Sequence, residues 1–408
     1  MSDGGQRLRR DAREPLHERQ AMPTSAHTGA GMGKIRKTWA IPIAFGALAA
    51  CGSHHGSIDT SPAKVAPGAR ELRYEGRFDG SDPAGPRFEW PGSAVWLRFT
   101  GASAKVTLSE HSLETDEYGN VAHNWYDVAV DAQPAQPLYA TEGVHTYPLA
   151  AALAPGEHIA SLRKRTEAYV GVGQLLGFEL DHGAKALPVS DAPRRIEFIG
   201  DSITAGFGVD GADGSCLFSA DTENYAHTYA ALTAQDLGAS QIALASSGAG
   251  VYRNWGGSTD NTIGDLYQRA LPTDSASRWD FSAWKPDAVV INVGTEDFTS
   301  GDPGHDAFVA GYVKLLARVR QNYPSALIVV AIGPMLSDLW PPGAQALTRA
   351  RSYVSEAVGA ASDARMKLIE FPDQDDAGTY GCKSHPSPAT HRRMADQLTA
   401  FLRQQLGW

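Results

Sequence analysis

The chain has 408 residues, 42% of them hydrophobic, and a formal charge of -10 at pH 7. That length supports two domains and a large core, and the acidic balance, with no basic stripe in the later chain, argues against a nucleic-acid partner. The three cysteines, Cys51, Cys216 and Cys382, include no Cys-x-x-Cys pair, so no zinc signature is present.

Residues 1–31 are polar and lack apolar periodicity, which predicts a disordered leader. Basic residues Lys34, Arg36 and Lys37 then precede a short apolar run at 38–50, too short to span a bilayer, and Leu48-Ala49-Ala50-Cys51 follows. A basic end, an apolar stretch and small residues before a cysteine resemble a bacterial lipobox. That resemblance implies an exported lipoprotein held at the cell envelope by a lipid on Cys51, with translation expected to start at Met32. Simple secretion or an uncleaved anchor is the alternative. Export to an oxidising compartment would leave Cys216 and Cys382 free to form a disulfide, or to stay as isolated buried thiols. Residues 52–69 are rich in Gly, Ser, Pro and Ala and read as a flexible linker, with His54 and His55 solvated within it.

From 70 to 182 short alternating runs recur at 72–78, 94–99, 104–108, 125–130, 145–149, 158–164 and 175–180. Turn signals such as Ser81-Asp82-Pro83 and Pro155-Gly156 separate them, which predicts a β-sandwich of jelly-roll type. From about 190 the pattern changes. Near-continuous apolar strands are predicted at 196–199, 241–245, 288–293, 327–332 and 367–371, with helices at 224–237, 306–323, 344–361 and 388–406. Such alternation predicts a five-stranded parallel sheet covered by helices on both faces. Ser387-Pro388 reads as a cap and first-turn proline for the last helix.

Chemistry-bearing residues gather at the predicted strand ends, where ligands of open α/β sheets bind. The first strand delivers Gly200-Asp201-Ser202, the second Ser246-Ser247-Gly248-Ala249-Gly250 and the third Gly294-Thr295-Glu296-Asp297. Gly381-Cys382-Lys383-Ser384-His385-Pro386 follows the fifth. Taken singly, each block has a bland reading: Ser202 as a capping serine in a turn, His385 as a structural histidine before a capped helix.

The succession of blocks resembles the SGNH hydrolase superfamily. It is more similar to one branch, the carbohydrate esterases of family 2, a jelly-roll followed by an SGNH domain spanning nearly all of 70–408. Gly76-Arg77-Phe78-Asp79, Gly85-Pro86-Arg87-Phe88 and Lys164-Arg165-Thr166-Glu167-Ala168 carry the likeness in the first domain. In the second it rests on Phe198-Ile199-Gly200-Asp201-Ser202-Ile203-Thr204, Thr222-Glu223-Asn224, Tyr252-Arg253-Asn254 and Gly333-Pro334-Met335. The resemblance implies removal of acetyl groups from acetylated polysaccharides of xylan or glucomannan type, without metal or cofactor. Ser202 would be the nucleophile and His385 its base. Backbone N–H groups of Ser202 and Gly248 would supply two donors of the oxyanion hole. His391 is expected to be structural.

Two departures stand out. Where the family has an asparagine as third oxyanion donor, this chain has Glu296; an ionised carboxylate cannot donate, and removing one such donor costs about 10²–10³ in rate. Burial and the neighbouring Asp297 would favour a protonated Glu296, which can donate, so activity is expected to be weak near neutrality and to rise at mildly acidic pH. The alternative is that Glu296 turns to solvent. Cys382 occupies the place of the superfamily's aspartate, and Lys383-Ser384 that of Asp-Trp, so His385 would be oriented by a backbone carbonyl near Ser384 or by Asp373, Asp375 or Asp376. Tyr252, Trp255 and Trp340 would stack on sugar faces, or belong to the core. The altered blocks also admit a glycan-binding protein on an impaired esterase scaffold, and the superfamily a lipase or thioesterase.

Overall fold

Along Ala104–Ser112 buried residues alternate with more exposed ones, the period of a strand with one face against a core. The same pattern builds two antiparallel sheets in the computed structural model, which describes residues 60–408. Residues 1–31, the apolar run before Cys51, Cys51 itself, His54 and His55 lie outside the described residues, as do the side chains of Asp376 and Ala377.

One sheet runs Ala63–Val65, Gly171–Leu180, Ala104–Ser112 and Gly143–Ala150 in spatial order, with Arg87–Phe88 also pairing to Gly171–Leu180. The other runs Ala186–Leu187, Ala94–Thr100, Glu157–Lys164, Trp125–Val130 and Gln136–Tyr139, with Arg73–Glu75 added at Ala94–Thr100. Phe88, Val95, Leu97, Phe99, Val106, Leu108, Tyr126, Leu162 and Phe178 fill the core of this sandwich.

The sandwich reaches beyond the expected 70–182. Ala63–Val65 pairs with Phe178, Glu179 and Leu180 and buries Val65, which corrects the reading of 52–69 as linker throughout. Three residues give too short an apolar run to register against the surrounding Pro and Gly. Gln136–Tyr139 is likewise a strand outside the expected set; it is mostly exposed and carries Pro137, as edge strands do.

The second half is a five-stranded parallel sheet in the order Ala239–Ala245, Arg194–Gly200, Ala288–Asn292, Leu327–Ile332, Met366–Glu370. Numbered along the chain this is 2-1-3-4-5, and the order reverses beside the first strand, where open sheets of this kind bind ligands. Both faces are covered. Ile196, Phe198, Ala243, Val290 and Val329 meet helices Tyr229–Leu237 and Pro388–Leu406 on one side. Ile199, Ile242, Leu244, Val289, Ile291, Ile328 and Val330 meet helices His305–Asn322 and Ala346–Ala360 on the other. The last helix begins at Pro388 with Ser387 as its cap, the hydroxyl accepting from the Thr390 N–H. Among the described residues no helix is long and apolar enough to cross a membrane.

The two halves share a buried seam. Trp90 of the sandwich belongs to the core of the parallel sheet. Arg77, fully buried, pairs with Glu197 of the first parallel strand at 3.2 Å and donates to the carbonyls of Tyr267 and Arg269. Its guanidinium lies 5.0 Å from the centre of the Phe281 ring and 5.3 Å from those of Tyr267 and Trp279. Burial pushes the Glu197 carboxyl up, against the pull of Arg77 and the Tyr323 hydroxyl.

Candidate active site

Ser202 opens the short helix Ser202–Ala205 directly after the first parallel strand. Asp201 caps that helix by accepting from the Ile203 N–H, and Gly206 ends it in the left-handed region. The turn is tight: a Cβ on Gly200 would stand 2.1 Å from Thr204 Oγ1 and 2.8 Å from the Asn292 carbonyl oxygen. Glycine is required there so that the serine can leave the strand at once.

His385 arrives from the other end of the chain and places Nε2 2.9 Å from Ser202 Oγ. Its Nδ1 meets the Cys382 carbonyl oxygen at 3.2 Å. The backbone reaches this geometry through Lys383 and Ser384, whose φ values of 51° and 56° are unusual for side-chain-bearing residues. Among the described residues, a backbone carbonyl is the expected partner that the structure brings to His385, contributed by Cys382; the side chain of Asp376 lies outside them. Asp373 instead accepts from the Asp375 N–H, and Asp375 accepts from the Tyr380 hydroxyl. The Phe207 ring lies against the imidazole at 4.4 Å between centroids. Burial lowers His385 to about 4, so its ring is neutral near pH 7 and able to accept a proton.

Cys216 and Cys382 form a disulfide across 166 residues, with Cα atoms 4.7 Å apart. It fastens the segment after Ser202 to the segment before His385. Cys382 N–H donates to the Gly208 carbonyl, Lys383 N–H to Cys216 and Ser384 N–H to Gly214.

Gly248 follows the second strand with φ of 78°. Among the described residues neither its N–H nor that of Ser202 has an internal acceptor, so both remain open to an oxyanion. Asp297 holds the far side of this loop, accepting from the N–H groups of Val251, Tyr252 and Arg253 at 2.8, 2.8 and 2.9 Å. Glu296 lies in the short helix Thr295–Phe298, half-buried, and its carboxyl accepts no hydrogen bond from the described residues. Burial, then Asp297 and Glu167, push it up to about 7. Its charge in turn helps burial hold Asp201, next to Ser202, well above the usual carboxylate range.

The three aromatic candidates separate. Trp255 is 73% exposed, and its N–H donates to the Gly248 carbonyl at 2.8 Å, so it stands on the oxyanion loop. Trp340 is 59% exposed beyond the fourth strand, next to Leu339. For Tyr252 the structure favours the core alternative: half-buried, it packs against the core under the sheet, with its backbone N–H held by Asp297. His391 is buried, accepts from the Tyr229 N–H at 3.1 Å and is lowered by burial to about 3.

With this geometry in place, relatives decide the family. Residues 74–189 match the carbohydrate esterase 2 N-terminal family and residues 198–393 the GDSL-like lipase/acylhydrolase family. The structure of a family two carbohydrate esterase from Clostridium thermocellum, in complex with cellohexaose, is 41% identical, with a TM-score of 0.75, over 83% of this chain and 99% of that one. The chain belongs to carbohydrate esterase family 2. A second family 2 structure, from Cellvibrio japonicus, aligns with a TM-score of 0.76 at 25% identity over 86% of this chain and 99% of that one. Among curated relatives, the cellulase/esterase CelE of Acetivibrio thermocellus is 41% identical over 340 residues, 83% of this chain; the chain spans 40% of that longer protein. An acetylxylan esterase/glucomannan deacetylase of Cellvibrio japonicus is 28% identical over 366 residues, covering 88% of this chain and 96% of the relative. Family 2 membership fits the sandwich followed by a parallel sheet with a serine and a histidine at its rim.

Proposed function

We propose that the protein is a serine esterase that removes O-acetyl groups from polysaccharides of xylan or glucomannan type. The observation that carries this is the 2.9 Å approach of His385 Nε2 to Ser202 Oγ beside the open N–H groups of Ser202 and Gly248. Ser202 Oγ attacks the acetyl carbonyl while His385 takes its proton, and the tetrahedral oxyanion rests on the two N–H groups. His385 then gives the proton to the departing sugar oxygen. A water molecule, deprotonated by the same ring, releases acetate and restores Ser202. The exposed Trp255 offers a sugar face a stacking surface next to the hole. The CelE and acetylxylan esterase relatives support this substrate class.

A second reading, a glycan-binding protein on a silenced esterase scaffold, draws on Glu296, whose ionised form would repel the oxyanion. Acetate release from acetylated xylan and glucomannan at pH 5.5, for the parent and Ser202→Ala, decides between them. Release by the parent and none by the variant supports the esterase. Equal release by both removes it, and retained binding to the polysaccharide would then favour the second reading.

Export and anchoring through a lipid on Cys51 form part of the proposal. The basic-apolar-cysteine pattern at 32–51 supports it, and the Cys216–Cys382 disulfide is in keeping with an oxidising compartment. Mass spectrometry of the native amino terminus tests it: a diacylated Cys51 is the expected result, and an unmodified chain would remove it.

A further inference from the structure

Both loops that carry the catalytic groups are gripped by carboxylates from the other domain. Lys164-Arg165-Thr166-Glu167 leaves the sandwich as a strap tied down at every residue. The buried Lys164 Nζ donates to the carbonyls of Thr166 and Glu167 at 2.8 and 2.9 Å. Arg165 pairs with Asp127 at 2.6 Å, and Thr166 Oγ1 donates to Asn124 Oδ1 at 2.8 Å. At the end of this strap the Glu167 carboxylate accepts from the N–H of Ser247 at 2.6 Å and from the Ser247 hydroxyl. Ser247 immediately precedes Gly248 in the oxyanion loop. The Glu167 N–H donates to Glu223 Oε2 at 3.1 Å, and burial together with Glu167 pushes the Glu223 carboxyl well above the usual range.

The second grip is on the histidine loop. Glu117, in the sandwich segment after Ala104–Ser112, pairs with Lys383 Nζ and accepts from the Phe218 N–H at 2.9 Å. Lys383 lies two residues before His385. Phe218 stacks on Phe207 at 4.3 Å between centroids, and Phe207 rests on the His385 ring. One carboxylate thus reaches the base along two routes, through its backbone and through its ring.

We infer that Glu167 and Glu117 are positioning residues, through which the sandwich holds the oxyanion loop and the histidine loop in register with Ser202. Neither carboxylate touches the reacting atoms; each fixes a segment that does. The sandwich is then a working part of the catalytic centre, whichever glycan it also meets. This rests on the esterase reading above. Small displacements of a catalytic group cost rate while leaving a small substrate's affinity alone, which gives the proposal a signature that lost stability does not share.

The test measures kcat and KM for 4-nitrophenyl acetate in the full chain carrying Glu167→Gln, Ser247→Ala, Glu117→Gln or the charge swap Glu117→Lys with Lys383→Glu. Far-ultraviolet circular dichroism confirms folding. Ser247→Ala serves where the buried Glu167 variant does not fold, since it removes one hydroxyl from a part-buried position. The expected result is a kcat about ten- to a hundredfold lower for the single variants with KM within about threefold, and partial recovery in the swap. If the parent turns over by way of Ser202 and every folded variant keeps its kcat, the positioning proposal falls and the esterase reading stands. If the parent shows no Ser202-dependent turnover, the esterase reading falls, and nuclear magnetic resonance then decides the positioning. The Gly248 amide signal is expected to move in Ser247→Ala and the His385 imidazole signals in Glu117→Gln; unmoved signals would overturn it.

Discussion

His385 Nε2 stands 2.9 Å from Ser202 Oγ, while Nδ1 across the ring meets the Cys382 carbonyl at 3.2 Å. In the proposed reaction the pair would work as a dyad oriented by main chain. Loss of a triad aspartate's carboxylate costs about 10⁴-fold in kcat, so Asp373→Asn and Asp375→Asn separate the two cases. Both variants are expected to keep kcat within about twofold of the parent, whereas His385→Ala loses measurable turnover. A thousandfold loss in either aspartate variant would mean that a carboxylate orients the ring in solution.

Protonation bounds activity on both sides. His385, lowered to about 4 by burial, is a competent base only above that pH. Glu296, raised to about 7 by burial and by the charges of Asp297 and Glu167, is neutral and free of charge repulsion only below it. The profile of kcat/KM is therefore expected to be bell-shaped with limbs near 4 and 7. In Glu296→Asn the upper limb disappears and turnover at pH 7.5 rises about fourfold, since a group titrating at about 7 is still roughly a quarter neutral at that pH. A variant no faster than the parent at that pH would show that Glu296 does not govern the hole.

The Cys216–Cys382 disulfide closes a loop of 166 residues, for which the loop-entropy account gives up to about 5 kcal/mol. Cys216→Ser is expected to melt markedly lower than the parent. Because the Cys382 carbonyl aims His385, kcat should also fall at temperatures where the variant is still folded. A lower melting temperature with an unchanged kcat would confine the bridge to stability.

Arg77 and Glu197 meet out of water between the sandwich and the first parallel strand. Removing one member of such a pair strands the other, at a cost of about 3–5 kcal/mol. Arg77→Ala should show that loss in urea unfolding. Arg77→Met with Glu197→Leu should recover only part of it, since the carbonyls of Tyr267 and Arg269 also lose their donor.

Trp255, exposed beside Gly248, separates glycan binding from chemistry. Trp255→Ala is expected to raise KM for acetylated polysaccharide severalfold and to leave kcat/KM for 4-nitrophenyl acetate within about twofold. Equal losses on both substrates would place the ring's role in shaping the loop.

The parallel sheet and its rim were legible because long apolar strands and Gly-Asp-Ser leave strong local patterns. Helix starts shifted where capping intervened: residues 225–227 form a separate 3₁₀ turn behind Asn224 before the helix Tyr229–Leu237. The short edge strands escaped notice because two to four residues carry almost no periodic signal. The choice for Tyr252 between sugar face and core stays open in sequence because aromatic type says nothing about which side of a loop is gripped from below; that depends on Asp297, which is 45 residues away in sequence. Glu197 did leave a trace, a charge between Ile196 and Phe198 in the predicted strand 196–199, which calls for a buried cation. Its partner Arg77 lay 120 residues upstream, beyond any local pattern.

Trp90 has a consequence for ancestry and engineering alike. An indole from the first domain completes the interior of the second, and nearby Gly92 leaves no room for a Cβ beside the Tyr225 ring, which would stand 2.4 Å away. A hydrolase half transplanted onto another carrier would expose a hole of tryptophan size and a charge with no counterpart. The unit that genes can exchange is therefore the joined pair.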